Sequence, residues 1–193
     1  MQSRIQTLFN DSLKVKQASQ SLIPDIEQVA QKMIDCLQTG GKILTCGNGG
    51  SAGDALHFSS ELLNRFERER QPLAAIALTA DNLTLTAIAN DYGYEQVFAK
   101  QVQALGRAGD ILLSFSTSGH SANVVTAMQV AQTQGLFNIG FTGKKGGNMA
   151  KLLHNGLELR VPSDSTARIQ EVHLLLIHCL CDLIEQVFIG EKA

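Results

Sequence analysis

Short apolar runs alternate along the chain with segments in which apolar residues recur every three or four positions. The runs are Ile43–Cys46, Ala74–Leu78, Ile111–Phe115, Phe137–Thr142 and Leu157–Val161. Runs this short predict strands. Helical periodicity falls between them, near Ser51–Phe66, Asn82–Ala89, Tyr94–Leu105, Ser121–Gln134 and Asn148–Leu153, and a last long helix is predicted at Thr166–Phe188. Strands separated by helices imply an α/β fold, a parallel sheet covered on both sides.

Two further helices precede the first strand. Residues 1 to 22 carry Ile5, Leu8, Phe9, Leu13 and Val15 between polar positions, an imperfect amphipathic pattern. Pro24 opens the second, where Ile26, Val29, Ala30, Met33, Ile34 and Leu37 keep the helical period until Gly40-Gly41 stops it. Both are too apolar on one side for solvent, and should cap the sheet or meet a second copy of the chain. No repeat, low-complexity segment or linker interrupts the pattern. The expected organisation is one domain over residues 1–193, with helices in 1–39 and the α/β core in 40–193.

Composition adds exclusions. Hydrophobic residues make up 44% of the 193, and the formal charge is −2. That is ordinary for a soluble globular protein and gives no reason to expect direct nucleic-acid or membrane-surface binding. No apolar run reaches the roughly 18 residues of a transmembrane helix, and no signal-peptide core is visible, so the expected location is the cytoplasm. The four cysteines, Cys36, Cys46, Cys179 and Cys181, lie in apolar surroundings without metal-knuckle spacing and are expected to be reduced packing residues.

Candidate chemistry begins where the first strand ends. Cys46-Gly47-Asn48-Gly49-Gly50-Ser51 is a glycine-serine turn leading into a helix, which offers backbone N–H groups and a positive helix end to an anion. One turn into that helix, His57 and Glu61 share a face, as two metal ligands or an acid/base pair would. A second turn, Ser116-Thr117-Ser118-Gly119-His120-Ser121, repeats the theme after the third strand with four hydroxyls in six residues. Ligands of open parallel sheets bind beyond the carboxyl ends of the strands, where strand order reverses. Ser51, Ser116, Ser118 and Ser121 would then line two cradles that grip one phosphorylated ligand. Ala52 stands at the third glycine position of a dinucleotide fingerprint, and no run fits P-loop spacing. A phosphosugar suits the turns better than a nucleotide.

The last helix contains Arg168-Ile169-Gln170-Glu171-Val172-His173 and, further on, His178. Its apolar content predicts burial nearly all round, so Gln170, Glu171, His173 and His178 need partners. Gln170 and His178 are eight residues apart, a rise of roughly 12 Å. Both can serve one site only if it lies midway, or if one of them serves a neighbouring subunit. The favoured location is a subunit interface.

These motifs together resemble the phosphoheptose isomerases, single sugar-isomerase (SIS) domain proteins: Cys-Gly-Asn-Gly-Gly-Ser at 46–51, His57, Glu61, Ala-Asn-Asp at 89–91, Ser-Thr-Ser-Gly at 116–119, Ser121-Ala122-Asn123-Val124 and Arg-Ile-Gln-Glu-Val-His at 168–173. The resemblance implies a Rossmann-like, flavodoxin-type five-stranded parallel sheet and a homotetramer with active sites between subunits. It implies conversion of D-sedoheptulose 7-phosphate into D-glycero-D-manno-heptose 7-phosphate, the first step toward the ADP-heptose of lipopolysaccharide core. It also implies one zinc ion per subunit, held by His57, Glu61, Gln170 and His178. Substrate contacts would come from Asn48, Gly49, Gly50, Asn90, Asp91, Ser116, Thr117, Ser118, Ser121, Glu61 and Gln170, with Ser51 added by the turn chemistry. Ketose–aldose isomerisation through an enediol needs a base and an acid, and Glu61 and His178 are the candidates.

The chain also resembles the replication initiator-associating proteins of the same fold, notably at Asn64-Arg65-Phe66-Glu67 and Cys179-Leu180-Cys181-Asp182-Leu183. That alternative is a scaffold binding the chromosomal replication initiator. The presence of Glu61 and His178 favours the enzyme. Two departures from the isomerase pattern stand out: His120 in place of an asparagine on the second turn, and Thr166-Ala167 where some isomerases carry an acidic residue. The mixed run holding Arg65, Arg68 and Arg70 among glutamates is expected to be a solvated helix end.

Overall fold

A computed structural model describes residues 1–189. Five strands, β1 (Ile43–Gly47), β2 (Ala75–Ala77), β3 (Ile111–Phe115), β4 (Phe137–Thr142) and β5 (Leu157–Arg160), form one parallel sheet in the order β2-β1-β3-β4-β5. After β1 the chain crosses to β2 on one side, then returns to β3 on the other. Strand order therefore reverses between β1 and β3, where the expected ligand crevice opens.

The helices are α1 (Gln2–Ala18), α2 (Ile23–Gln38), α3 (Gly50–Leu63), α4 (Asn82–Tyr92), α5 (Ala99–Leu105), α6 (Ala122–Thr133), α7 (Gly147–Leu152) and α8 (Thr166–Phe188). They form two layers because successive strand residues face opposite sides. Ile111, Leu113 and Phe115 of β3 pack with α2, α3 and α8, whereas Leu112 meets Val102 of α5, Val124 and Met128 of α6, and Met149 of α7.

Several elements differ from the sequence expectation. Strand β2 has three residues rather than five, since only one of its sides finds a partner strand. The helix expected over 94–105 is split into a 3₁₀ turn at Tyr94–Gln96 and α5, and the fully buried Val97 and Phe98 at the break re-aim the chain. Helix α8 is not buried all round. Ile169, Val172, Leu176, Ile177, Leu180 and Ile184 form its inner side, but Leu174, Leu175, Leu183 and Val187 face outward. Helix α1 buries no residue at all, leaving Ile5, Phe9 and Leu13 more than half exposed at 53%, 65% and 57%. Cys36, Cys46 and Cys181 are buried and free, whereas Cys179 is only half-buried.

Arg70 corrects a further expectation. Arg65 and Arg68 are exposed, but Arg70 is buried, with its Nε 3.8 Å from Oε1 of Glu185, itself buried in α8. Helix α3 ends at Leu63, and the segment after it folds inward over this pair rather than continuing as a helix. Among the described residues, no helix is long and apolar enough to cross a membrane.

Candidate active site

The parallel register sets Gly47 of β1 beside Phe115 of β3, so the next residues, Asn48 and Ser116, open two adjacent turns. Gly49 holds φ 57° and ψ −122°, a conformation that only glycine adopts cheaply, and α3 begins immediately after it. Ser51 follows in the first turn of α3, buried, its N–H donating to the Asn48 carbonyl at 3.0 Å. On the second turn the Ser116 and Ser121 hydroxyls are 2.9 Å apart, and the His120 N–H donates to the Ser118 hydroxyl at 3.2 Å. Thr117 and Ser118 are half-buried, and His120 is exposed. Both turns feed helix N-termini into the same crevice, an arrangement suited to an anion.

A network missed by sequence reasoning joins the turns. Asn48 donates to Oδ1 of Asn123 at 2.8 Å, and Asn123 donates back to Oδ1 of Asn48 at 2.9 Å. Asn123 also accepts from the Val124 N–H, and the Tyr94 hydroxyl donates to Asn48 at 3.0 Å. Asn123 stood inside a recognised motif, but its partner lies in the other turn, 75 residues away. Nothing in the sequence singled out Tyr94. Asn90 and Asp91, a few residues earlier at the exposed end of α4, bond to each other at 2.9 Å.

Further along α3, Nε2 of His57 lies 3.2 Å from Oε1 of Glu61 and 3.1 Å from Nε2 of His178. All three side chains are half-buried, and the Phe66 ring sits 5.7 Å from the His178 ring. A single imidazole nitrogen carries either one proton or one lone pair, so it serves two such neighbours poorly. A divalent cation would accept lone pairs from all three. Ligands about 2.0–2.1 Å from a tetrahedral zinc lie about 3.3 Å from one another, close to both separations found here. Among the described residues no three His, Cys, Asp or Glu side chains close into a ready-made cage. As a metal site the cluster would need a further donor.

Gln170 is not part of that cluster within the chain. Its amide packs against Gly50, where a Cβ would collide with it. Gly50 and His57 are seven residues apart on α3, roughly 10 Å along the helix axis. Between these points lies a buried polar pair, Asp54 on α3 and His173 on α8. The Nε2 of His173 donates to the Thr142 carbonyl at 3.1 Å, leaving Nδ1 without a partner 3.9 Å from the equally unpartnered Oδ2 of Asp54. Burial pushes the Asp54 carboxyl up to about 6. Burial also pulls His173 down to about 4, against the opposing effect of its bond to Thr142. Glu171 is taken up by Ser12 at 2.7 Å and by Arg168.

Known proteins give this geometry a family. The SIS-domain profile matches residues 10–143. The phosphoheptose isomerase of Chromohalobacter salexigens is 61% identical over 191 residues, covering 98% of this chain and 97% of the relative. That of Shewanella sediminis is 59% identical over 188 residues, covering 96% and 95%. Among solved structures, the phosphoheptose isomerase GmhA of Neisseria gonorrhoeae superposes with a TM-score of 0.92 at 48% identity, over 96% of this chain and 98% of that one. With two hydroxyl-lined turns at the switch point and a His–Glu–His cluster on the neighbouring helices, the chain belongs to the SIS-domain family and, within it, to the phosphoheptose isomerases.

Proposed function

We propose that this chain interconverts D-sedoheptulose 7-phosphate and D-glycero-D-manno-heptose 7-phosphate, the first step toward the ADP-heptose of lipopolysaccharide core. The observation that carries the reading is the juxtaposition of Glu61, His57 and His178 within one fold that also presents two phosphate turns. A scaffold that only bound the replication initiator would have no use for such a cluster.

Substrate phosphate would be received by Ser51, Ser116, Ser118 and Ser121, with Asn48, Gly49, Gly50 and Thr117 shaping the cradle and Asn90 and Asp91 at its rim. Isomerisation moves one proton between adjacent carbons while the carbonyl and hydroxyl exchange places. Glu61 takes the proton from the hydroxyl-bearing carbon. Its Oε1 is engaged by His57, and its second oxygen is left for the substrate. His178 gives a proton to the carbonyl oxygen as the enediol forms, and the two roles reverse in the second half.

His57, Glu61 and His178 are suited to hold zinc, one ion per subunit, with Gln170 as the fourth donor. A bound zinc would polarise the sugar carbonyl, and the His178 nitrogen that ligates it would not be the one that donates the proton. Because Gln170 lies two helical turns from His57 in the same chain, it is assigned to the corresponding site of a neighbouring subunit. The exposed apolar side of α1 and the outward leucines of α8 support assembly into a homotetramer with such shared sites. The proposed setting is the cytoplasm.

Incubating the purified protein with sedoheptulose 7-phosphate and following the aldose by NMR tests the reading. Aldose formation is expected. Its absence with zinc both present and chelated would overturn the assignment.

A further inference from the structure

The segment that closes α3 is built around a buried ion pair that the isomerisation itself does not use. The Arg70 guanidinium donates to the carbonyls of Glu61 at 2.6 Å, Leu62 at 2.9 Å and Gln71 at 2.8 Å. Glu61 and Leu62 belong to the last turn of α3, whose carbonyls have no partner within the helix. Across from it, Glu185 accepts three successive backbone N–H groups, from Phe66 and Glu67 at 3.0 Å and Arg68 at 2.9 Å. Side-chain exposure is 1% for Arg70 and 3% for Glu185.

Burying two charges gives little net stability, because desolvation offsets most of their attraction. Apolar residues of similar volume would leave the carbonyls and N–H groups that the pair satisfies without partners. Nor could they fix directions. The guanidinium fork grips the backbone of Glu61 itself. Glu185 lies on α8 seven residues beyond His178, two turns along the same side of that helix. The same carboxylate fixes the backbone of Phe66, whose ring rests against His178. One pair thus sets the end of the helix bearing the candidate base and, through Phe66, the ring of the candidate acid.

We propose that Arg70 and Glu185 are positioning residues for Glu61 and His178, acting through the 64–71 segment and not on the substrate. The inference rests on the isomerase reading above. A displacement of about 1 Å in a reacting group can lower turnover roughly 100-fold. The phosphate turns sit at the opposite end of α3 and are untouched by the pair. Loosening it should therefore lower kcat without weakening substrate binding.

The test uses the full-length protein and the variants Arg70→Lys, Glu185→Gln and Phe66→Leu. Each is assayed for kcat and KM with sedoheptulose 7-phosphate, and for the inhibition constant of inorganic phosphate. The expected result for Arg70→Lys and Glu185→Gln is a fall in kcat of about 10- to 100-fold, with KM and the phosphate constant within about twofold of wild type. Phe66→Leu, which leaves the charges in place, should show the same split to a smaller degree. Unchanged kcat, or a parallel loss of kcat, substrate binding and phosphate binding, would overturn the proposal. If the charge variants do not fold, the kcat of Phe66→Leu decides alone. If the wild type does not turn the sugar over, the isomerase reading fails by itself, and zinc titration calorimetry on the same proteins takes over. Weaker zinc binding by about 10- to 100-fold with intact phosphate binding supports the positioning role, and unchanged zinc binding refutes it.

Discussion

The side-chain amides of Asn48 and Asn123 pair head to head, each donating to the other's oxygen, and so lock the turn after β1 to the turn after β3. Neither amide comes from the serines expected to meet phosphate, yet the pair fixes the spacing between the two serine-bearing turns. Asn123→Ala should raise KM about 5- to 30-fold, the equivalent of roughly 1–2 kcal/mol, with a smaller change in kcat. Tyr94→Phe removes only the hydroxyl bond to Asn48 and should cost less. Steady-state kinetics on the two variants checks the order.

Replacing Glu61 by glutamine keeps its shape and removes its basicity. Turnover should fall by about 100-fold or more, while the phosphate inhibition constant and the sedimentation coefficient stay at wild-type values. Activity retained in Glu61→Gln would take this carboxylate out of the base role.

Zinc should bind the His57–Glu61–His178 cluster and raise the unfolding temperature. A ligand present at about 100 times its dissociation constant adds about 2.7 kcal/mol to a site it occupies only in the folded state. His57→Ala or His178→Ala should abolish this thermal shift. Differential scanning calorimetry with zinc and with a chelator reads it directly.

Much of this fold is legible because β1 and β3 are short, mainly apolar runs flanked by turn residues, and both hydroxyl-rich turns follow from their position at strand ends. The residues alone give His57, Glu61 and His178 only a need for partners, since 121 residues separate the two imidazoles that meet; it is the family resemblance that groups them, together with Gln170. Arg70 was illegible for a different reason. A run of alternating arginines and glutamates reads as solvated surface, and the glutamate that draws Arg70 inward sits in the last helix. The outward leucines of α8 were equally hidden, because an all-apolar helix gives no phase from which to read its exposed side.

Gly119 occupies φ 66°, and a Cβ there would run into the Gly146 backbone carbonyl of the turn after β4. Neither backbone can yield cheaply. Gly119→Ala should destabilise the protein by about 1–3 kcal/mol from the left-handed conformation alone, and more from the collision. Urea unfolding measures the loss, and substrate binding should weaken with it.

Asp54 and His173 make opposite contributions to stability between about pH 4 and pH 6. With its carboxyl raised to about 6 from 3.8, folded Asp54 keeps a proton that the unfolded chain releases, so its contribution declines as pH rises through that window. With its imidazole lowered to about 4 from 6.5, folded His173 lacks a proton that the unfolded chain binds, so its contribution grows with pH. Asp54→Asn leaves the histidine unopposed and should make stability climb more steeply with pH than in wild type. His173→Gln should do the reverse. Denaturation midpoints across this range separate the two signs.

Helix α1 fully buries none of its residues within the chain; Val15 packs part-buried against the core, and the Ser12–Glu171 and Arg168–Leu8 hydrogen bonds tie the helix to α8. A helix of 17 residues with so little packing beneath it is close to the length at which isolated helices are marginal in water. If neighbouring copies cover its apolar side, its order is governed by mass action: dilution that separates the subunits also melts the first helix. Far-ultraviolet dichroism would then lose amplitude as concentration falls, while the sheet and its two serine-bearing turns remain intact.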